Sequence, residues 1–341
     1  SNVWLKLENF QPTASVLIRG IGHRCTKAVR LEHAQHLVTS GDGNVGMAVA
    51  YSARQLEVPA TVFLASRASD AVRQQLETNG ATVVLVDGGW DVAEAQARSF
   101  ADRDTHAVYI HAYDHPDVWR GHATLVTELR EQMGDDRPPP AAVLTVVGAG
   151  GGLLNGVLEG MRQAEWNTVP VVAVETHGGN SLQLSLEAGR VAPVERVNTI
   201  ATGLGARAIT RKTLDWCSRH PVIPFAVSDA MAADGCRKFA DDHRILVEAT
   251  CGAGLSVVYT SVLREVMPNL PSDADLIVVV CGGSDISLAQ LEEYGRRYSD
   301  PPIIVKSGEA IYMKFSEMSA AQSSARAAAS STNSSPGKES A

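Results

Sequence analysis

Short, largely apolar runs alternate with segments of helical periodicity along most of the chain, and this alternation constrains the fold more than any other feature. Runs without polar residues are typical of strands that are buried on both faces of a parallel sheet. Segments of helical length between them are the connections that parallel strands require. The predicted strands are residues 3–7, 37–39, 61–65, 82–87, 108–111, 142–147, 169–175 and 275–281. The pattern therefore predicts an α/β protein with open parallel sheets.

These strands form an early and a late series, which predicts two domains. We place the boundary near Asp114, before the long helical segment 117–132. The prediction is a larger domain of residues 1–11 and 114–302, with a smaller α/β domain of residues 12–113 inserted into it. Residues 303–341 form a C-terminal extension, and from about residue 318 its composition predicts disorder. That tail is rich in Ala, Ser and Asn and lacks an apolar face that would offset the entropy of ordering.

Composition and charge narrow the classes of function. The chain has 341 residues, of which 45% are hydrophobic and 20% are charged, so it is long enough for a sizeable core. A net charge of −8 argues against nucleic acid or an anionic membrane as a partner. The five cysteines are unevenly spaced and predict no disulfide framework, which favours a reducing compartment. We expect a cytoplasmic protein that acts on a small molecule.

Three glycine-rich turns follow predicted strands, at residues 40–46, 148–153 and 281–284. Small residues let backbone N–H groups converge, and a helix N-terminus adds partial positive charge, so the turn at 148–153 suits a phosphate. No Gly-Lys-Ser/Thr sequence follows it, which excludes a Walker loop. Since the carboxyl ends of parallel strands meet at one edge, the three turns are expected to line one crevice. Close packing of strand against helix is the alternative explanation for the glycines.

The turn at 40–46 also fits a dinucleotide fingerprint, with Gly41, Gly43 and Gly46 at the required spacing. That fingerprint needs an acidic residue about 20 positions further on, which binds a ribose hydroxyl. The next predicted strand is followed instead by Arg67, which is suited to a 2′-phosphate. An NADP-linked oxidoreductase therefore stays open as a remote alternative.

Several segments resemble the serine/threonine dehydratases, in the order in which that family has them. They are residues 12–20, 40–46, 149–153 and 281–284, and residues 245–248, 251–253 and 285–291 resemble the L-serine dehydratase branch in particular. The resemblance implies a pyridoxal-phosphate-dependent protein of fold type II, the tryptophan-synthase-β-like fold. It also implies β-elimination from L-serine or L-threonine, which gives pyruvate or 2-oxobutanoate plus ammonia, in a homodimer.

The same resemblance implies roles for individual residues. The cofactor phosphate would be bound by Ala149, Gly150, Gly151, Gly152 and Leu153. Asn44 would hydrogen-bond the ring hydroxyl, and Cys281 would face the pyridine nitrogen. The substrate carboxylate would be bound by the loop of Ser40, Gly41, Asp42, Gly43 and Asn44. Glu175 falls where the family has a residue near a monovalent cation.

Two positions depart from the family pattern. Leu17 stands where the family has the lysine that forms a Schiff base with the cofactor, and leucine has no amine for that bond or for proton transfer. Asp42 puts a negative charge in the loop that would bind a carboxylate, unless it points outward and caps the following helix. These residues favour an alternative in which the chain is a catalytically silent homologue that binds pyridoxal phosphate, an amino-acid-like ligand or a partner.

No other lysine is an obvious replacement for the missing amine. Lys6 alternates with apolar residues on a predicted strand, and we expect it to point toward solvent. The histidine pairs His33/His36 and His111/His115 have ligand-like spacing. Without a cysteine or carboxylate to complete a zinc site, we interpret them as helix-surface residues.

Overall fold

Two parallel sheets form the frame of the molecule, and helices connect and cover their strands. The structure is a computed structural model that describes residues 1–41, 43–66, 68–134, 136–260 and 262–298, together with the backbone of residues 303–307 and 310–314. Every strand pair within the two sheets is parallel. The predicted α/β class with parallel sheets is confirmed.

Strands and helices alternate along most of the described chain, as the sequence pattern predicts. The strands are β1 (Asn2–Leu7), β2 (His36–Ser40), β3 (Ala60–Ala65), β4 (Ala81–Val86), β5 (Ala107–Tyr109), β6 (Ala142–Val146), β7 (Val171–Thr176), β8 (Val222–Val227), β9 (Asp275–Val280), β10 (Ile303–Ser307) and β11 (Ala310–Lys314). The helices are α1 (Leu17–Arg30), α2 (Gly43–Gln55), α3 (Asp70–Thr78), α4 (Trp90–Ala101), α5 (Pro116–Met133), α6 (Gly152–Gln163), α7 (Ser181–Ala188), α8 (Arg211–Cys217), α9 (Asp229–His243), α10 (Ala249–Tyr259), α11 (Val262–Val266) and α12 (Leu288–Arg297).

The first sheet has the strand order β1-β9-β6-β7-β8, and the second has the order β4-β3-β2-β5. All strands of the second sheet come from the chain segment that the sequence assigns to the smaller domain, and the domain boundaries themselves stay a prediction. Strands β10 and β11 pair with each other as an antiparallel hairpin.

Strand β8 is missing from the sequence prediction, and its position explains why. It is an outer strand of the first sheet, most of its residues are half-buried, and Pro224 is its third residue. A proline cannot donate a ladder hydrogen bond, so it argues against a central strand, but an edge strand tolerates it.

Successive side chains of a strand point to opposite faces, and this gives the second sheet a core on each side. In β2, Leu37 belongs to a cluster that includes residues of α1 and α2. The next residue, Val38, packs instead with Phe63 and the alanines of α4. The first sheet contributes to a larger cluster, built from β6, β7 and β9 and from the helices that cover them.

Helix α1 packs against both α2 and α5, and a cluster of ion pairs fixes its first turn. The Arg19 guanidinium donates from Nε to Glu8 Oε2 at 2.6 Å and from Nη2 to Glu128 Oε2 at 2.7 Å. The Lys6 ammonium also pairs with Glu128. Because these groups hold α1 against β1 and α5, they determine where its first residue, Leu17, lies.

Candidate functional site

A cavity of about 630 Å³ is lined by the turns that follow β2, β6 and β9. Its volume is within the range of small-molecule sites. The sequence-predicted site residues that line it are Leu17, Gly41, Gly43, Asn44, Ala149, Gly152, Leu153 and Cys281. Of the other predicted residues that the structure describes, Ser40, Gly150 and Gly151 lie beside this lining, and Glu175 lies on β7. The three glycine turns therefore line one crevice, as the sequence predicts.

The turn after β6 is shaped by glycines with positive φ angles, 71° at Gly148, 55° at Gly150 and 83° at Gly151. A Cβ atom at Gly150 would overlap the Tyr113 ring, and one at Gly151 would overlap the Thr213 side chain. Thr213 Oγ1 also donates to the Gly150 carbonyl at 3.1 Å and holds the turn from behind. Helix α6 begins directly after the turn, so its free N–H groups favour an anion there.

Asn44, in the first turn of α2, connects the second sheet to the first. Its Nδ2 donates to Glu248 Oε2 at 2.8 Å, and its Oδ1 accepts from the backbone N–H and the hydroxyl of Ser284 at 2.8 and 2.9 Å. Position 283 requires glycine, because the backbone there passes so close to Glu248 that a Cβ atom would overlap the Glu248 carboxylate. A carboxamide nitrogen has two hydrogens, and Glu248 accepts one of them, so Asn44 keeps a donor for a ligand.

Cys281 follows β9 and is buried at the cavity wall. A hydrogen bond with the Cys251 thiol, together with burial, raises the pKa of the Cys281 thiol well above its usual range. The thiol is therefore neutral at physiological pH and presents a weak donor and a weak acceptor to the cavity.

Leu17 is the first residue of α1, and its side chain contributes an apolar part of the cavity wall. It is half-buried and packs against the cores of both sheets. Its backbone N–H is 3.3 Å from Ser15 Oγ, so the turn before α1 is closed by a hydroxyl and not by a charged group.

The lysine side chains that the structure describes have partners away from the cavity. The expectation that Lys6 points to solvent is wrong, because α5 covers that face of β1 and supplies Glu128 and Gln132 as partners, which leaves Lys6 buried. The remaining described pairs are Lys27 with Asp117 at 2.7 Å, Lys238 with Asp234 at 2.8 Å, and Lys212 over the Trp216 ring at 4.8 Å. The side chains of Lys306, Lys314 and Lys338 lie outside the described residues.

The loop after β2 is only partly described. The Ser40 side chain is fully buried, and its Oγ lies 2.8 Å from the Tyr109 hydroxyl. Gly41 and Gly43 line the cavity on either side of Asp42, and Asp42 itself lies outside the described residues. The same holds for Arg67, so the NADP-linked alternative, which depends on it, stays a prediction.

Glu175 is buried on β7, where its two carboxylate oxygens accept the backbone N–H groups of Leu182 and Gln183 at 2.9 and 3.0 Å. Burial raises the pKa of this carboxyl to about 7, although the two hydrogen bonds oppose that shift. Within the described ranges, no group of three or more His, Cys, Asp or Glu side chains is arranged to hold a metal ion.

Several polar residues of the cavity wall were not predicted from sequence as site residues, Glu248 and His122 among them. Glu248 lines the cavity beside Asn44, and His122 lines it from α5. His122 is almost fully buried, and among the described residues its Nδ1 has no hydrogen-bond partner. Burial lowers the pKa of this imidazole to about 3, so it is neutral near pH 7. A lone histidine in an apolar helical stretch is the only local signal for it, whereas Glu248 belongs to one of the family-like segments.

The fold and the glycine-lined cavity together define a pyridoxal-phosphate-dependent protein of the parallel α/β type. The family model described as "pyridoxal-phosphate dependent enzyme" matches residues 1–282, and the chain belongs to this family. It is similar to a Mus musculus protein named "serine dehydratase-like", at 42% identity over 294 residues that cover 85% of this chain and 88% of that protein. It is also similar to a Homo sapiens L-serine dehydratase/L-threonine deaminase, at 40% identity over 297 residues, with coverage of 85% and 88%.

A solved structure supports the same assignment. The fungal L-serine ammonia-lyase from Rhizomucor miehei superposes with a TM-score of 0.83 at 45% sequence identity, and the match covers 87% of this chain and 93% of that chain. The sequence-based resemblance to the serine/threonine dehydratases and the expected fold type II are confirmed. In the part of the chain that the structure describes, no helix has the length and apolar character needed to cross a bilayer.

Proposed function

We propose that the chain binds pyridoxal phosphate and an amino acid of the L-serine or L-threonine type in this cavity, and that Leu17 prevents β-elimination. One observation carries the proposal, which is that the turn after β6, Asn44, Cys281 and Leu17 all line the same cavity. The turn after β6, Asn44 and Cys281 fit a cofactor, whereas Leu17 occupies the position of the amine that the reaction needs. The relatives named for serine and threonine dehydration support the substrate class.

The phosphate would be held by residues 149–153. Positive φ angles in this turn bring backbone N–H groups to one side, and α6 adds its free N–H groups and partial positive charge. The turn has no room for larger side chains, because Tyr113 and Thr213 pack against its glycines. The residues present therefore fit a phosphate that is bound by backbone atoms.

Asn44 and Cys281 would orient the ring. Asn44 has a second Nδ2 hydrogen for the ring hydroxyl, while its Oδ1 is fixed by Ser284. A neutral Cys281 thiol beside the pyridine nitrogen would leave that nitrogen unprotonated, which would favour elimination over transamination. When bound, pyridoxal phosphate supplies an electron sink that loosens the α-proton and the β-hydroxyl of an amino acid.

The amino-acid carboxylate would lie at the N-terminus of α2, where Gly41, Gly43 and Asn44 line the cavity. The hydroxyl of Ser40 already lies at hydrogen-bond distance from Tyr109, so we assign the carboxylate contact to backbone N–H groups. Asp42 would repel a carboxylate if its side chain turned into the cavity, which strengthens the proposal of altered function.

Leu17 limits what the bound cofactor and amino acid can do. Its side chain can neither attach to the cofactor nor accept the α-proton, and the cavity lining contains no lysine among the described residues. Loss of a positioned general base alone typically lowers a rate by about 10²–10⁴-fold. The residues thus fit a cofactor held by non-covalent contacts and do not fit covalent attachment.

Cofactor binding and keto-acid release test this proposal together. We expect equilibrium dialysis to show saturable binding of pyridoxal phosphate, and an assay with L-serine or L-threonine to show no keto-acid release above background. We expect Leu17→Lys to restore covalent attachment, and turnover to require Asp42→Ala in addition. Leu31→Lys is the matched control, because Leu31 is 67% exposed at the other end of α1. Keto-acid release by the parent chain at the rate of the Leu17→Lys, Asp42→Ala double variant would refute the proposal.

Three further proposals rest on the family resemblance. A monovalent cation near Glu175 is supported by its buried carboxylate, and a change of thermal stability between potassium and sodium buffers would test it. A homodimer is tested by light scattering. A cytoplasmic location is supported by the absence of a disulfide pattern among the five cysteines and is tested by fractionation.

A further inference from the structure

The peptide unit between Gly150 and Gly151 determines what the turn after β6 presents to the cavity. Its flanking torsion angles are a ψ of 8° at Gly150 and a φ of 83° at Gly151. Glycine accepts positive and negative φ almost equally well, so the two residues offer little resistance to a half-turn of this unit. Such a rotation would exchange the directions of its carbonyl and its N–H group. Contacts outside the glycine pair must therefore select one orientation.

Two donors select the observed orientation by binding the Gly150 carbonyl from behind the turn. The backbone N–H of Thr210 donates to this oxygen at 2.8 Å, and the hydroxyl of Thr213 donates to it at 3.1 Å. Both threonines lie outside the cavity lining. A carbonyl oxygen has two lone pairs, so this one is fully engaged on the side away from the cavity.

The Thr213 hydroxyl is the last member of a buried chain of donors. Asn155 Nδ2 donates to Thr210 Oγ1 at 3.2 Å, and Thr210 Oγ1 lies 2.9 Å from Thr213 Oγ1. Each hydroxyl has one hydrogen, and that of Thr213 is used on Gly150, so the hydroxyl of Thr210 donates to Thr213. All three side chains are buried, those of Asn155 and Thr213 completely. Hydrogen bonds in such a chain polarise one another, which strengthens the last one to the carbonyl.

We propose that Asn155, Thr210 and Thr213 are positioning residues for the phosphate. Together they keep the Gly150 carbonyl turned away from the place where the phosphate binds. The inference rests on the function proposed above and extends it to residues behind the cavity wall. A carbonyl oxygen has partial negative charge, so its rotation toward the cavity would repel a phosphate at this turn. With the carbonyl held back, the anion meets N–H groups instead.

Removal of one hydroxyl tests the role of the chain. Thr213→Val keeps the shape of the side chain but leaves the Gly150 carbonyl and the Thr210 hydroxyl each short of one buried partner. We expect the dissociation constant of pyridoxal phosphate to rise at least about tenfold in equilibrium dialysis, since one hydrogen bond near a charged group is large enough for that ratio. Thr213→Ser, which keeps the hydroxyl, should stay within about threefold of the parent chain.

Two further variants complete the series. Thr61→Val is the matched control, because Thr61 is also buried and its Oγ1 lies 2.9 Å from His36 Nε2, but it lies near the start of β3, away from the cavity. It should bind pyridoxal phosphate as the parent does. Asn155→Leu removes only the first donor of the chain and should weaken binding by about threefold, which tests the chain even if Thr213→Val does not fold.

Phosphorus-31 NMR of the bound cofactor separates positioning from a general loss of stability. At saturating pyridoxal phosphate and one fixed pH, we expect Thr213→Val and Asn155→Leu to shift the bound signal in the same direction. The parent, Thr213→Ser and Thr61→Val should share one signal position. Circular dichroism of each variant confirms that it is folded before titration.

The outcomes distinguish this inference from the proposed function. Unchanged affinity or an unchanged phosphorus signal in the folded Thr213→Val and Asn155→Leu variants would overturn the inference and leave the proposed function in place. An equal loss of affinity in Thr61→Val would also overturn it, because the loss would then follow from stability alone. If the parent chain did not bind pyridoxal phosphate, the proposed function itself would be refuted.

Discussion

The ion-pair cluster that fixes α1 makes a quantitative prediction for Glu8→Gln. The Glu8 carboxylate is almost fully buried and accepts hydrogen bonds from Arg19 Nε and Nη2 at 2.6 and 2.8 Å. Glutamine at this position keeps the shape but removes the charge and places an NH₂ group against a guanidinium. Removal of one partner of a buried ion pair costs about 3–5 kcal/mol. Because Arg19 keeps Glu128 as a partially exposed partner, we expect the lower end, a loss of about 3 kcal/mol in the free energy of unfolding.

Urea unfolding followed by tryptophan fluorescence and far-UV circular dichroism measures this loss. Glu77→Gln is the matched control, because Glu77 forms a similar pair with Arg73, in which both side chains are nearly half exposed. An exposed pair of this kind contributes little to stability, because solvent screens it. A loss for Glu8→Gln below about 1 kcal/mol, no larger than that of the control, would show that the cluster is screened by solvent and does not fix α1.

Two other predictions concern the cavity. Gly150→Ala should weaken pyridoxal-phosphate binding in equilibrium dialysis by at least about tenfold, because the added Cβ meets the Tyr113 ring at a φ of 55°; unchanged binding would contradict the assigned turn. His122 has a pKa of about 3 in the folded state, so the unfolded chain takes up a proton that the folded chain does not, and stability should fall as pH falls from about 6.5 toward 3. His122→Gln should reduce that slope by up to about 1.4 kcal/mol per pH unit in unfolding titrations, and an unchanged slope would contradict the assigned burial of the imidazole.

Much of the frame is predictable because buried parallel strands have a local signature. The sequence of β6 is apolar except for Thr145, and that of β9 is apolar after Asp275, because both faces of these strands are covered. Strand β8 lacks that signature because it is an edge strand with Pro224 in its middle. The pairing of β1 with β9 joins residues more than 270 positions apart, and no local pattern contains it.

The site is predictable to the extent that its residues belong to contiguous turns. Asn44 and Cys281 follow strands within recognisable segments, and their proximity follows from parallel pairing. His122 enters the cavity only because α5 packs against α1 and α6, which is tertiary information. The burial of Lys6 is also tertiary information, because strand alternation alone does not reveal that α5 covers the face of β1 on which Lys6 lies.

Borohydride reduction followed by mass spectrometry of the intact protein tests most directly whether the missing amine has been replaced. The chain is loaded with pyridoxal phosphate to saturation, reduced, and digested to locate any lysine that carries the cofactor. We predict that the parent chain gains no stoichiometric mass, while Leu17→Lys gains one cofactor equivalent at position 17. A stoichiometric adduct on any lysine of the parent chain would contradict the account.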